Sequence, residues 1–96
     1  MAIFAVTYEY TADYETRMQA RPAHRTWQSR LYETNVLLAS GPLTGDVPGG
    51  LLILQAEEQH NIEDLLAQDP YADAGVIAGT TVQPWQPVFG PWAETD

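Results

Sequence analysis

A chain of 96 residues has room for one domain with one core, and at that size much of the surface stays exposed, so pairing of copies is a common way to add burial. Thirteen acidic residues stand against four arginines and no lysine, for a formal charge of -9. That balance repels polyphosphate and anionic lipid and argues against nucleic acid and membrane surfaces as partners. The absence of cysteine excludes disulfides, thiolate nucleophiles and thiolate metal sites.

No apolar run reaches spanning length and no basic region precedes Ile3, so neither signal peptide nor anchor is expected, and the cytoplasm is the expected setting. Ile3 to Tyr10 is rich in β-branched and aromatic residues on both alternating faces and reads as a well-buried strand. Thr11 to Arg21 is polar and charged. Pro22 then sits where a helix can begin, because proline in a first turn forfeits no hydrogen bond. Ala23, Trp27 and Leu31 make one stripe of that helix, which should end near Thr34-Asn35.

Val36 to Ser40 is a second strand, stopped by Gly41-Pro42, and Thr44 to Gly50 is dense in turn residues. Leu51 to Ala56 is a third strand. Glu57 to Gln68 is a second helix with Ile62, Leu65 and Leu66 as its apolar stripe, closed by Asp69-Pro70. After a turn through Tyr71 to Gly75, Val76 to Trp85 alternates as a fourth strand. A tail rich in Pro and Trp, 86–96, completes the one expected domain, 1–96.

The order βαββαβ fits a ferredoxin-like α+β fold: two right-handed split crossovers, strand order 4-1-3-2, and both helices on one face. Strands two and three are nevertheless apolar on both faces, whereas a sheet with one wet face should alternate. A second copy of the chain is therefore expected to cover the free face.

This topology brings the start of the first helix and the end of the second to one end of the sheet. His24 lies beside the stripe of Trp27 and Leu31, and Asp69 continues the stripe of Ile62, Leu65 and Leu66. Both should point inward at the same end, with Tyr8, Tyr10, Arg21, Ser40-Gly41-Pro42 and Tyr71 around them. A helix N-terminus favours neutral imidazole, while a carboxylate favours imidazolium. Opposed influences of that kind suit a general acid/base near neutral pH, with Asp69 as its orienter. The same pair also reads as a buried hydrogen bond tying two helix ends together.

Other groups read as ordinary structure. His60 is expected as a solvated helix residue, and Glu57, Glu58, Glu63 and Asp64 as a solvated face, so no metal site is expected. The glycines match no phosphate-cradling loop and read as turns. Arg21 suits an acidic substrate group, while Arg17, Arg25 and Arg30 read as surface residues pairing with Asp13, Glu15 or Glu33. Trp85, Phe89 and Trp92 are expected to pack against the body or a partner subunit.

Arg21-Pro22-Ala23-His24, Leu37-Leu38-Ala39-Ser40-Gly41-Pro42, Gly49-Gly50-Leu51-Leu52-Ile53-Leu54, Asp69-Pro70-Tyr71 with Ala74-Gly75-Val76, and Val82-Gln83-Pro84-Trp85 resemble, in this succession, the YCII-related family. The resemblance implies a dimeric α/β barrel of two face-to-face sheets, and a His–Asp active-site pair that carries over to His24 and Asp69. It places Ser40, Gly41, Pro42 and Tyr71 along the same cleft and implies chemistry without metal or organic cofactor. One kind of member is similar to a dehydrochlorinase of a chlorinated hydroxyquinol. The expected activity is acid–base chemistry, elimination or isomerisation, on a small cyclic or carboxylated molecule, with Arg21 and Tyr71 among the substrate contacts. The alternative is a non-catalytic dimer that binds a small ligand or protein and uses the pair structurally.

Overall fold

The computed structural model describes residues 1–93 and has the element order β1(Ala2–Tyr10), α1(Tyr14–Glu33), β2(Leu37–Leu43), β3(Gly49–Ala56), α2(Gln59–Leu66), α3(Pro70–Asp73) and β4(Ile77–Trp85). The sheet is antiparallel throughout, in the order β2-β3-β1-β4, as the split-crossover topology requires. The fold is ferredoxin-like α+β.

Strand alternation sorts the residues onto two faces. Phe4, Val6 and Tyr8 of β1 pair with Leu54, Leu52 and Gly50 of β3, and this face carries the helices. Its core joins those side chains to Leu37, Ile62 and Leu66, with Trp27 and Leu31 of α1 packed against it. Ala5, Ile53, Thr7 and Leu51 share the opposite face.

Three local expectations differ from the structure. First, α1 begins at Tyr14, because Asp13 caps it: Asp13 Oδ1 accepts from the Thr16 N–H (3.1 Å) and Oδ2 from its hydroxyl (2.7 Å). Pro22 is therefore interior to the helix, where it has no N–H to give the carbonyl four residues back. The expected end is right. Asn35 takes φ 63, Val36 N–H reaches Leu31 O, and Asn35 N–H reaches Tyr32 O.

Second, β2 does not stop at Gly41-Pro42 but runs to Leu43, with Gly41 opposite Leu51 and Pro42 opposite Gly50. An edge strand tolerates proline, whose missing N–H costs nothing on the open side. Gly49 and Gly50, expected as turn, already belong to β3. A Cβ on Gly50 would lie 2.6 Å from the Tyr10 hydroxyl, so glycine makes room for that ring.

Third, the second helix ends at Leu66, and Asp69 caps a separate short helix, α3. In the tail, Trp92 meets Trp85 edge to face at 6.4 Å, while Phe89 is fully out in solvent rather than packed on the body. The end of the expected tail, 94–96, lies outside the described residues. No helix among the described residues is long and apolar enough to cross a membrane.

Candidate functional site

Asp69-Pro70-Tyr71 is a small positioning device. The residue before proline is confined to extended backbone, and Asp69 complies with φ -64, ψ 126. Pro70 then starts α3, and the Asp69 side chain caps it by accepting the Tyr71 N–H at Oδ1 (2.9 Å). The capping carboxylate is fully buried.

His24 reaches that carboxylate from α1, with Nδ1 2.7 Å from Asp69 Oδ1, and Tyr8 donates its hydroxyl to Oδ2 at 2.8 Å. A carboxylate accepts at this contact, so Nδ1 is the donor, and in the neutral imidazole Nε2 is the nitrogen that carries the lone pair. Nε2 makes no hydrogen bond among the described residues and is not sealed away from solvent. The imidazole lies flat on the Tyr71 ring, centroids 3.7 Å apart and planes 3° off parallel. Tyr10 abuts Tyr71 edge-on at 5.5 Å. The ring is thus held by a stack below and a carboxylate at one edge, and His24 lines a cavity of about 450 Å³.

The expected meeting of His24 and Asp69 is correct, but two of its reasons are not. His24 sits in the middle of α1, beyond the reach of the positive helix end, whose field fades within a turn. Asp69 arrives through the cap of α3 rather than through the stripe of α2.

The cavity also gathers Arg21, Ser40, Gly41, Pro42 and Tyr71, the positions read from the sequence as substrate contacts. Ser40 and Pro42 face it because β2 bulges between Leu37 and Ala39, which shifts the alternation by one residue. Arg17 and Arg25 border the same cavity, although they were expected as surface residues paired with acids. Among the described residues no arginine makes an ion pair; the two that form involve histidines, His24 with Asp69 and His60 with Glu58 (3.1 Å). Tyr8 is the partner of Asp69 that the spacing did not reveal; its alternation with Val6 was the available signal.

Burial comes first in raising the tyrosines of the site. It pushes the Tyr8 phenol far above its ordinary value, helped by the charge of Asp69 and the hydrogen bond to it. Tyr10 is pushed up to about 12 by burial, then by Tyr71 and Asp69, against Arg17 and Arg21. Burial also raises Tyr71, opposed by Arg21, Arg17 and Arg25. Among the described residues no three His, Asp or Glu side chains converge as metal ligands would.

The YCII-related domain model matches residues 1–86, which spans the sheet, the helices and every residue of the cavity. The chain belongs to the YCII-related family. An uncharacterised protein of Haemophilus influenzae is 34% identical over 84 residues, 78% of this chain and 86% of the relative. A protein of Emericella nidulans described as derivative of benzaldehyde biosynthesis cluster protein C is 26% identical over 76 residues, 69% of this chain and 78% of its own. Among solved structures, the 5-chloro-2-hydroxyhydroquinone dehydrochlorinase of Burkholderia phenoliruptrix, in complex with 2,5-dihydroxybenzoquinone, superposes with a TM-score of 0.78. It shares 24% identity, and the match covers 88% of this chain and 93% of that one. This YCII-related domain therefore has the ferredoxin-like fold by its own topology and by likeness.

Proposed function

We propose that this YCII-related protein is a small-molecule enzyme of the elimination or isomerisation type, working by acid–base chemistry in which His24 is the catalytic residue. The observation that carries the reading is a buried imidazole that lines a cavity, its Nδ1 tied to Asp69 and its Nε2 without a hydrogen-bond partner among the described residues. Asp69, in turn held by Tyr8 and by the Tyr71 N–H, fixes tautomer and orientation and stabilises the imidazolium once it forms. In an elimination, Nε2 takes a proton from substrate carbon, the C–H electrons become the new π bond, and the leaving group departs with its own pair. In an isomerisation the imidazolium returns the proton at another carbon. Base and orienter are both side chains, and the proposed chemistry uses no metal or organic cofactor. Arg21, Ser40, Gly41, Pro42 and Tyr71 are the proposed substrate contacts. The dehydrochlorinase of similar fold, captured with a hydroxyquinone, supports a ring-shaped substrate. We place this activity in a cytoplasmic homodimer of one-domain chains, the open face of the sheet covered by a second copy.

The burial of His24 and Asp69 also fits a purely structural tie between α1 and α3. A thermal-shift screen over aromatic acids, lactones and hydroxyquinols separates the readings. The catalytic reading expects His24→Gln and Asp69→Asn to stay folded and to lose turnover of the ring that shifts the wild type, by about 100- to 10,000-fold, the range of a lost acid/base. Strong destabilisation by both substitutions, with no compound shifting the wild type, would establish the structural tie instead.

A further inference from the structure

Three of the four basic residues of the chain, Arg17, Arg21 and Arg25, border the His24 cavity. They recur at every fourth position of α1, so consecutive turns present them on one face. Like charges at that spacing destabilise a helix, and a local carboxylate would relieve them. Thirteen acidic residues are available. Yet among the described residues no arginine lies within 4.0 Å of a carboxylate, and no acidic side chain borders the cavity.

What holds the guanidiniums is soft. Arg17 lies over the Tyr10 ring at 4.7 Å and near the Tyr14 ring at 5.4 Å, and Arg21 Nη1 contacts Met18 Sδ at 3.5 Å. Stacking positions a guanidinium while leaving its N–H fork unspent. The Tyr71 phenol, under the His24 ring, feels all three charges.

We propose that Arg17, Arg21 and Arg25 form an anion-recognition wall, which makes the ligand of this cavity a small planar ring bearing a carboxylate or an equivalent delocalised oxyanion. The proposal deepens the acid–base reading above and rests on it for the placement of the ring beside His24. Guanidinium forks match a carboxylate edge, and the flat His24–Tyr71 stack with the edge of Tyr10 offers a surface for the ring. An acidic chain that gathers its cations at one cavity attracts such ligands there while the rest of its surface repels them.

The test is calorimetric titration with salicylate and with its neutral isostere salicylamide. Salicylate should bind about tenfold or more tightly than salicylamide, and Arg21→Gln and the double variant Arg17→Gln/Arg25→Gln should each weaken salicylate about tenfold or more, the scale of truncating a charged hydrogen-bonded pair. The melting temperature of the unliganded variants should hold or rise, since repulsion along α1 is relieved. Raising potassium chloride should weaken salicylate on the wild type with no substitution at all, an arm independent of whether the variants fold. Equal binding of the two probes, no salicylate binding, or indifference to salt overturns the wall. His24→Gln separates the two proposals: salicylate binding kept in that variant supports the wall whether or not His24 moves protons. Charge-indifferent binding together with activity lost in His24→Gln overturns the wall and leaves the acid–base reading standing.

Discussion

At the scale of single residues, the site is organised by one carboxylate with three donors. Asp69 takes His24 Nδ1, the Tyr71 N–H and the Tyr8 hydroxyl, three donors for about four acceptor sites, and the neutral imidazole has one tautomer compatible with them. The same burial sets an alkaline limit on stability. The Tyr10 phenol titrates at 10.0 when unfolded and at about 12 when folded, so between those values the folded state holds the extra proton. Stability is then full below pH 10 and declines as pH rises to about 12, with Tyr8, raised further still, extending the loss. Melting curves recorded across that interval should fall steadily for the wild type and less steeply for Tyr10→Phe. The meeting of His24 and Asp69 was legible from helix phase and topology. Tyr8 was expected beside the pair, but its hydrogen bond to Asp69 was not, because a phenol beside Val6 on a buried face reads as core until its hydroxyl has a partner.

At the scale of elements, the sequence misleads where one residue has two uses. Pro22 marks the start of many helices, yet here the earlier cap at Asp13 wins and the proline is carried inside α1. The shift matters because it adds the turns that bear Arg17 and Arg21 and brings both into register with Arg25. Asp13→Ala should cost about 1 kcal/mol in urea unfolding, the usual worth of such a cap, with the loss traced to the first turns of α1. Gly41-Pro42 and Gly49-Gly50 mislead in a similar way. Both pairs lie in strands, where an edge position tolerates the proline and the Tyr10 ring needs the space above Gly50. Asp69-Pro70, expected to close α2, which already ends at Leu66, instead begins α3, and that role is what aims the carboxylate.

At the scale of the whole molecule, the order of the elements follows from hydrophobic pattern and turn residues, and right-handed crossovers with short connections leave few arrangements of that order. The resulting sheet covers one face with helices and leaves Ala5, Ile53, Thr7 and Leu51 on the other. If a second copy covers that face, an exposed position at its centre should control assembly without touching the core. Thr7→Arg is expected to leave the circular dichroism spectrum unchanged and to halve the mass read by light scattering. A wild type that is already monomeric would overturn the pairing, and a variant that still pairs would move the partner surface elsewhere. The tail, 86–96, is the stretch about which the pattern said least, since Pro and Trp without periodicity specify neither strand nor helix.

The claim on which the rest depends is that His24 presents an unprotonated Nε2 to the cavity while Asp69 holds Nδ1–H. Proton–nitrogen correlation spectra of the two imidazoles, with His60 as the exposed internal control, measure this directly. The account predicts that neutral His24 is the Nδ1–H tautomer and that its Nε2 signal shifts on adding salicylate while His60 does not respond. A His24 protonated at Nε2 alone, or one whose nitrogens ignore every ligand that binds, would contradict it.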